Sequence, residues 1–596
     1  MPDPHAEYSE CLAARLATAS QEERTHRRIG NFKLLTIVIG VAIVWLAWER
    51  VGFSSYWIFA PVAIYALLAI LHERTLRARA RAEAAAAFYR RGIARIEDRW
   101  AGTGESGDRF GDTKHVYADD LDIFGRGCLF ELLSTARLPM GENRLAEWLR
   151  QPSSPVEIRE RHGSVTELRQ KTRMHEDIAA VGDNLRVRLN PESLIGWAEA
   201  GPVLPRHGVR LAAIALSLCI VGALIYWAGT GDYLPLLIGV IIAAILNRSF
   251  HSRIKEILGE FPANADGVLL FARILERIEA ETFTDPRLEK LSAGLKRGDT
   301  TASSAIRKLA RLAFWIDARH SLIGAILEWL VLYSLQLASA AEAWRRKYGR
   351  RMRSCVEITA EIEALLSLAA YSHEHPADPF PEIVETPDRQ ALFEGEELGH
   401  PLIPAARCVR NNVTLNADTQ VLLVSGSNMS GKSTLMRTVG INAVLAFAGA
   451  PIRGKALRLT PLALGTRIRT VDSLQEGLSN FYAEILRIRK VFELLGYERP
   501  VLFLFDELLE GTNSHDRRIG AESLVRALID DGATGIVTTH DLALTDMAAS
   551  IGSALRNAHF EDYIENGEMR FDFKLREGVV TKSNALELMR LVGLKV

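Results

Sequence analysis

The chain has 596 residues, 48% of them hydrophobic and 24% charged, and its 72 basic and 73 acidic side chains leave a formal charge of -1. That length has room for several domains, and the near-neutral balance excludes a disordered polyelectrolyte and a global nucleic-acid charge signature. Five cysteines, Cys11, Cys128, Cys219, Cys355 and Cys408, lie far apart without metal-ligand spacing and are expected to be reduced, buried thiols of a cytosolic setting.

In chain order, the first signal is a pair of apolar stretches, Leu34 to Trp48 and Val51 to Leu71, separated only by Glu49-Arg50. They predict a helical hairpin. A spanning helix needs about 20 apolar residues, so the second arm suffices, while the first needs Lys33 to reach back to the interface or the bilayer to thin. A cleavable signal is excluded because the stretch starts late and is doubled. The Ala-rich run near Ala82 to Ala87 is expected to be a helix leaving the membrane. Leu211 to Ala228 and Tyr233 to Leu246 form a second pair around Gly229-Thr-Gly-Asp232, again with a short second arm. Buried core helices are the alternative reading of both pairs.

Basic residues flank both pairs on their outer ends: Arg24, Arg27, Arg28, Lys33, Arg74, Arg77, Arg79 and Arg81 around the first, Arg206, Arg210, Arg248, Arg253 and Lys255 around the second. The positive-inside rule then places the soluble parts in the cytoplasm and the protein in the inner, cytoplasmic membrane. Leu322 to Leu337 carries Glu328 and Gln336 and is expected to be a core helix. Arg345-Arg-Lys347, Arg350-Arg351 and Arg353, beside Trp344 and Tyr348, could contact phosphates, but they fall where two helices join and read better as a solvated junction.

The richest motif follows the apolar run Val421-Leu-Leu-Val424. Gly426, Ser427, Asn428, Met429, Ser430, Gly431, Lys432 and Ser433 satisfy the Gly-x4-Gly-Lys-Ser phosphate-loop pattern, and Thr434 continues into a predicted helix. Backbone N–H groups of such a loop point at phosphate oxygens, Lys432 neutralises the β and γ phosphates, and the Ser433 hydroxyl can ligate Mg²⁺. A second buried strand, Val501 to Phe505, ends in Asp506-Glu507, where parallel sheets bind ligands. Asp506 would hold Mg²⁺ and Glu507 would orient or deprotonate the attacking water. Gly535 to Thr539 delivers His540 to the same edge, where an imidazole can sense the γ-phosphate. The cofactors expected are ATP and Mg²⁺.

With these residues in hand, the chain resembles the MutS mismatch-repair ATPase family. Gly426-Ser-Asn-Met-Ser-Gly-Lys-Ser-Thr-Leu-Met-Arg437 resembles the family's Gly-Pro-Asn-Met-Gly-Gly-Lys-Ser-Thr-x-x-Arg, and Asp506-Glu507-Leu508 with Gly511-Thr512-Asn513 resembles its Asp-Glu-Leu-Gly-Arg-Gly-Thr-Ser. Asp472 to Glu484 resembles the signature Ser-Gly-Arg-Ser-Thr-Phe-Met-x-Glu, which implies that Ser479 reaches across a dimer interface to the nucleotide. His400-Pro401 and Val409 to Val413 resemble stretches whose Asn, here Asn411, lies near the adenine. Phe571 to Leu575, Gly578 and Ser583-Asn584-Ala585 resemble the closing strand and helix, while Leu129 to Pro152 follows the opening of the family's helical core. The resemblance covers about 115 to 200 and 250 to 596. Two departures stand out: Leu509-Glu510 replaces Gly-Arg, reversing a charge in a loop expected to face the partner subunit, and Asn480-Phe481-Tyr482 replaces Thr-Phe-Met.

The implied fold class is an α/β P-loop (ABC-type) ATPase domain C-terminal to an all-α MutS-like core, with transmembrane helical hairpins. The expected divisions are an N-terminus at 1–30, a hairpin at 31–72, a helical linker at 73–114, a first core part at 115–205, a second hairpin at 209–247, core helices at 248–380 and the ATPase domain at 385–596. The resemblance implies a homodimer that couples ATP hydrolysis to a clamp-like grip on DNA, tethered through 34–71 and 211–246. A membrane-process ATPase not acting on DNA and a nucleotide-switched scaffold are the alternatives. The family's mismatch reader wedges a Phe, with a Glu two residues on, into DNA. Phe32, Phe53, Phe59, Phe88 and Phe110 are followed at that position by Leu, Ser, Pro, Arg and Asp, and the hairpin fills the space before the core, so non-specific or branched duplex is the expected DNA.

Overall fold

The structure is a computed structural model that describes residues 3–48, 55–181, 189–205, 208–259, 261–296, 300–319, 321–386, 390–469, 480–496, 498–565 and 568–580. It opens with two long helices, α1 (Pro4–Trp48) and α2 (Phe59–Ile96), which pack against each other as a stalk. No proline interrupts α1 after Pro4, so the polar first half and the apolar second half form one rod. Polar contacts zip the lower part: Arg79 pairs with Glu23, and the His26 and His72 rings lie 4.5 Å apart. Higher up, Lys33 sits over the Tyr65 ring, and Leu34, Val38, Val41, Trp45 and Val62 are exposed.

Helix α1 runs without a break from the expected N-terminal segment into the first apolar stretch. One expectation changes here. Val51 to Leu71 is not one helical arm: residues 49–54 lie outside the described residues, Ser55–Ile58 form a 3-10 turn, and the helix starts at Phe59. Apolar residues in a turn give the same sequence pattern as apolar residues in a helix.

The root of the stalk is locked into the protein. Tyr8, Phe88 and Tyr89 form a small buried cluster, and a Cβ at Gly92 would collide with the Tyr8 ring. Arg95 donates to both oxygens of Glu374 at 2.7 and 2.5 Å, with both side chains buried. Just beyond α2, Asp98 Oδ2 accepts the Ala405 N–H at 2.8 Å.

The helical region follows with α3 (Leu129–Leu133), α4 (Pro139–Arg150), α5 (Pro155–Leu168), α6 (Thr172–Ala179) and α7 (Pro191–Glu199). Ser154 and Glu157 form a capping box at the start of α5. A second helical pair, α8 (Val209–Thr230) and α9 (Leu234–Leu258), turns at Gly231, and α9 continues past the expected boundary at 247. Then come α10 (Ala265–Ala280), α11 (Pro286–Leu295), α12 (Ala302–Ala318), α13 (Leu322–Val331), α14 (Tyr333–Tyr348) and α15 (Met352–Glu374). Leu322 to Leu337 is thus not one helix, since Leu332 at φ 49 breaks it between α13 and α14. The buried α15 packs against α4, α5, α7 and α11 and is the axis of this region.

Among the described residues, four helices, α1, α2, α8 and α9, are long and apolar enough to cross a membrane. Their outward faces carry most of the exposed large apolar residues, and Cys219 on α8 is exposed, contrary to the expectation of buried thiols. The arginine run does join two helices, and Arg346, Lys347, Arg350 and Arg353 are exposed there, as a solvated junction requires, while part of the run also binds the fold. Arg345 is buried and donates to Gly201 O, Arg351 donates to Thr300 O and Leu295 O, and Arg353 pairs with Glu199.

The C-terminal part holds two sheets. Short strands β1 (Glu382–Ile383), β2 (Phe393–Leu398), β3 (Asn411–Leu415) and β5 (Ala456–Leu459) form one, in the order β1-β5-β2-β3. The other comprises β4 (Val421–Ser425), β6 (Ala463–Arg467), β7 (Val501–Phe505), β8 (Thr534–Thr539), β9 (Leu555–Glu565) and β10 (Glu568–Glu577), ordered β10-β9-β4-β8-β7-β6. All its neighbours are parallel except the β9–β10 edge. Helices α16 (Lys432–Ala448), α17 (Asn480–Glu493), α18 (Ser514–Asp530) and α19 (Met547–Ile551) complete it. Every residue of β7 is buried, as a central strand covered on both faces requires.

Asp120 stitches this sheet to the helical region. Its fully buried carboxylate accepts from Thr466 Oγ1 at 2.8 Å and from the Ile468 and Arg469 N–H groups at 3.0 and 3.1 Å.

Candidate functional site

The loop between β4 and α16 holds Gly426 to Gly431. Gly426 at φ 155 passes so close to its neighbours that a Cβ would lie 2.9 Å from Ser430 Oγ and 3.2 Å from Phe560 O, so this turn accepts only glycine. Met429 takes the left-handed conformation at φ 70 and projects into solvent at the crest, beside Asn428. Lys432 opens α16 and is buried. Its Nζ donates back across the loop to Gly426 O at 2.7 Å and Ser427 O at 2.9 Å, and burial lowers its affinity for a proton. Ser427 Oγ and Ser430 Oγ are buried without a hydrogen-bond partner. Two orphaned hydroxyls, a buried ammonium and the N-terminus of a 17-residue helix face one small space, a donor set that fits phosphate.

The carboxylates come from the end of β7. Ser433 Oγ donates to Asp506 Oδ2, and Thr538 Oγ1 on β8 donates to Asp506 Oδ1. The same Thr538 oxygen accepts the Glu507 N–H at 3.0 Å. Glu507 and Leu509 both have positive φ, 49 and 58 respectively, a strained turn that lifts Glu507 off the strand. His540 Nδ1 lies 3.4 Å from Glu507 Oε1. Arg467 donates to Asp506 O and to Glu507 O and pairs with Glu484 at 3.2 Å, while Glu484 Oε1 accepts the Leu509 N–H at 2.8 Å.

Glu510, where the sequence departs from the family pattern, turns back toward this cluster. Ligand atoms of Glu507, Glu510 and His540 all lie within 4.8 Å of one another. Burial first, then the adjacent Glu510 carboxylate, pushes the Glu507 carboxyl above its ordinary range.

Beside the loop lies a cavity of about 210 Å³ lined by His400, Arg407, Cys408, Asn411, Thr434 and Phe573 among others. Burial holds His400 at a pKa of about 4, so it is a neutral wall. Asn411 lines the cavity with its amide committed: Nδ2 donates to Phe573 O at 3.0 Å and Oδ1 accepts the Leu575 N–H at 2.8 Å. Phe573 itself, at φ 55 and 42% exposed, offers a ring face.

The structure therefore brings Lys432, Ser433, Asp506, Glu507 and His540 to one sheet edge, with Thr434 and Asn411 on the neighbouring cavity. Ser479 and the stretch 470–478 lie outside the described residues, as do Ser583-Asn584-Ala585. The sequence reading missed Thr538, Glu484, Arg467 and Phe573. Glu484, Thr538 and Phe573 stood in segments already quoted but without a role, and Arg467 stood in none; what each does depends on partners across strands that sequence spacing does not connect.

Residues 422–595 match the family model for MutS domain V. The chain is 29% identical over 256 residues to the "DNA mismatch repair protein MutS" of Geobacillus sp. (strain WCH70), covering 42% of this chain and 29% of that protein. It is 27% identical over 319 residues to the MutS of Geobacillus thermodenitrificans (strain NG80-2), covering 52% and 34% respectively. The "Endonuclease MutS2" of Thermus thermophilus is 34% identical over 203 residues, 33% of this chain and 25% of that one. These matches span about a quarter to a third of the relatives' lengths. A mostly helical chain ending in mixed sheets and a MutS domain V is the class so defined. Residues 422–595 are thus identified as a MutS domain V.

Proposed function

We propose that this protein is a membrane-tethered P-loop ATPase of the MutS family whose nucleotide cycle governs a grip on DNA. The observation that carries the ATPase is the convergence of Lys432, Ser433, Asp506, Glu507 and His540 at the β4, β7 and β8 ends. Ser433 and Asp506 would hold Mg²⁺, and the ion with its ATP supplies the charge that the loop is built to meet. Lys432 gives up its two carbonyl partners for phosphate oxygens. Glu507, fixed by its backbone bond to Thr538, orients and deprotonates the water, and His540 positions that carboxylate. Phe573 and His400 would flank the base, with Asn411 bracing the wall.

The site is a one-sided edge, and a second chain's Ser479 would cover it, so the working unit is a homodimer whose closure follows ATP binding. DNA as the partner draws support from the names of the relatives, and duplex without mismatch preference is the form expected. The soluble regions would face the cytoplasm, with α1/α2 and α8/α9 in the inner membrane. Lys432→Ala and Glu507→Gln test the core of this reading. Lys432→Ala should abolish nucleotide binding, and Glu507→Gln should bind ATP but not turn it over. A Glu507→Gln protein hydrolysing ATP at the parent rate would overturn the assignment.

A further inference from the structure

The α8/α9 pair is not free along its length. Ser217 lies 13 residues from the end of α8 and Asn247 13 residues from the start of α9, ~20 Å of helix each. Gly239 packs against Ile220, so Asn247 sits about five residues, ~7 Å, farther than Ser217 from the tip at Gly231 to Tyr233. Around these two residues both helices are tied to the broken segment α13–α14. Asn247 Nδ2 donates to Glu328 Oε1 at 2.8 Å, and the Ser334 N–H and Oγ donate to Glu328 Oε2 at 2.9 and 2.7 Å. Gln336 Nε2 donates to Val331 O at 2.6 Å and to Ser217 Oγ at 3.4 Å. The buried residues of α8 are Ala213, Ser217 and Ile220, one face of the helix.

Each helix is long enough to cross, but the pair does not cross free of the rest of the protein: a hydrocarbon core is ~30 Å thick, and only ~20 Å of α8 projects beyond Ser217. Tyr226, Trp227 and Tyr233, all exposed near the tip, are the side chains that settle at a membrane interface. With the end of α8 at the far interface, Ser217 lies ~10 Å inside the near leaflet and Asn247 nearer its surface, and the α13–α14 segment tied to both lies in that leaflet.

Helix α13 meets what that environment demands. Its sequence Leu322-Ile-Gly-Ala-Ile-Leu-Glu-Trp-Leu-Val331 has one ionisable residue, Glu328, and both oxygens of that carboxylate are satisfied by protein donors. Trp329, next along the helix, is 58% exposed, and Phe314 and Trp315 near the end of α12 are exposed as well. Arg248 and His251 share a cavity of about 250 Å³ with Glu328 and Trp329, which puts cationic groups at headgroup depth.

We propose that α13 is a half-helix embedded in the cytoplasmic leaflet beside α8 and α9, so that the second membrane unit has three helices and Glu328 with Asn247 is its polar lock. The occupant of the exposed α13 face is phospholipid. This rests on the membrane reading above, and the test separates the two. Full-length protein in liposomes, with its five native cysteines replaced by alanine, carries a bimane label at Trp329→Cys or, separately, at Leu237→Cys on the exposed face of α9.

Doxyl-labelled phosphatidylcholine should quench both labels at least twofold, with iodide affecting neither. Lipid quenching at Leu237→Cys but iodide quenching alone at Trp329→Cys would leave the pair in the membrane and overturn the inference. Absence of lipid quenching at both would overturn the membrane reading and the inference together. Should the cysteine-free background fail to fold, brominated-lipid quenching of intrinsic fluorescence decides: the quenched fraction should drop in Trp329→Phe relative to the parent, and an unchanged fraction refutes the placement.

Discussion

Thr538 is the sharpest place to test the candidate site, because one hydroxyl serves both of its carboxylate residues. Its Oγ1 donates to Asp506 Oδ1 and accepts the Glu507 N–H, and it is fully buried. Thr538→Val keeps the shape and removes both bonds. A bond to a charged group contributes about 1.5–3 kcal/mol and a buried donor left unpaired costs about 1–3 kcal/mol. Because Glu507 is already in a strained conformation, the loss falls on its placement. A combined ~2–3 kcal/mol on the barrier lowers kcat roughly 30- to 150-fold. Steady-state Mg²⁺-ATPase rates, with fluorescent-nucleotide binding in parallel, should show a fallen kcat with binding kept, and Thr538→Ser should restore most of the rate. A Thr538→Val enzyme within twofold of the parent rate would refute the reasoning.

Glu507 works as a carboxylate while burial and Glu510 hold its pKa up, so hydrolysis should fall as pH drops through that raised value. Glu510→Gln removes one cause and should move the acid limb of the kcat profile to lower pH; an unmoved limb counts against the pairing. Arg95→Ala leaves the buried Glu374 carboxylate without its guanidinium and should cost about 3–5 kcal/mol, read as a lowered unfolding temperature, whereas Arg95→Met with Glu374→Leu should recover most of it. Duplex DNA binding, measured across a salt series, should weaken with a log–log slope of about -0.9 per phosphate contacted, and a flat response would argue against DNA as the partner.

The phosphate loop was legible in sequence because its requirement is local: Gly426, Lys432 and Ser433 must be near neighbours in the chain. Asp506 and Glu507 were legible because a buried run announces the strand they end. Thr538, Arg467 and Asp120 were not, since each works through a partner that only strand order brings near. Helix breaks were hidden for another reason. Leu332 carries no proline or glycine signal, and side-chain hydrogen bonds that Glu328 and Gln336 make across the break hold it in a left-handed conformation that its side chain disfavours. The start of α2 at Phe59 was masked by apolar residues on both sides of the turn.

The bond between Asp98 and Ala405 has a mechanical consequence. Helix α2 is 38 residues, a stiff shaft of about 57 Å, and its root ends two residues before Asp98. Ala405 lies in the same loop as His400 and Arg407, which wall the cavity beside Lys432. No slack segment separates shaft from wall. The foot of the stalk and the rim of the cavity are therefore held to each other directly, by one hydrogen bond and a two-residue connection.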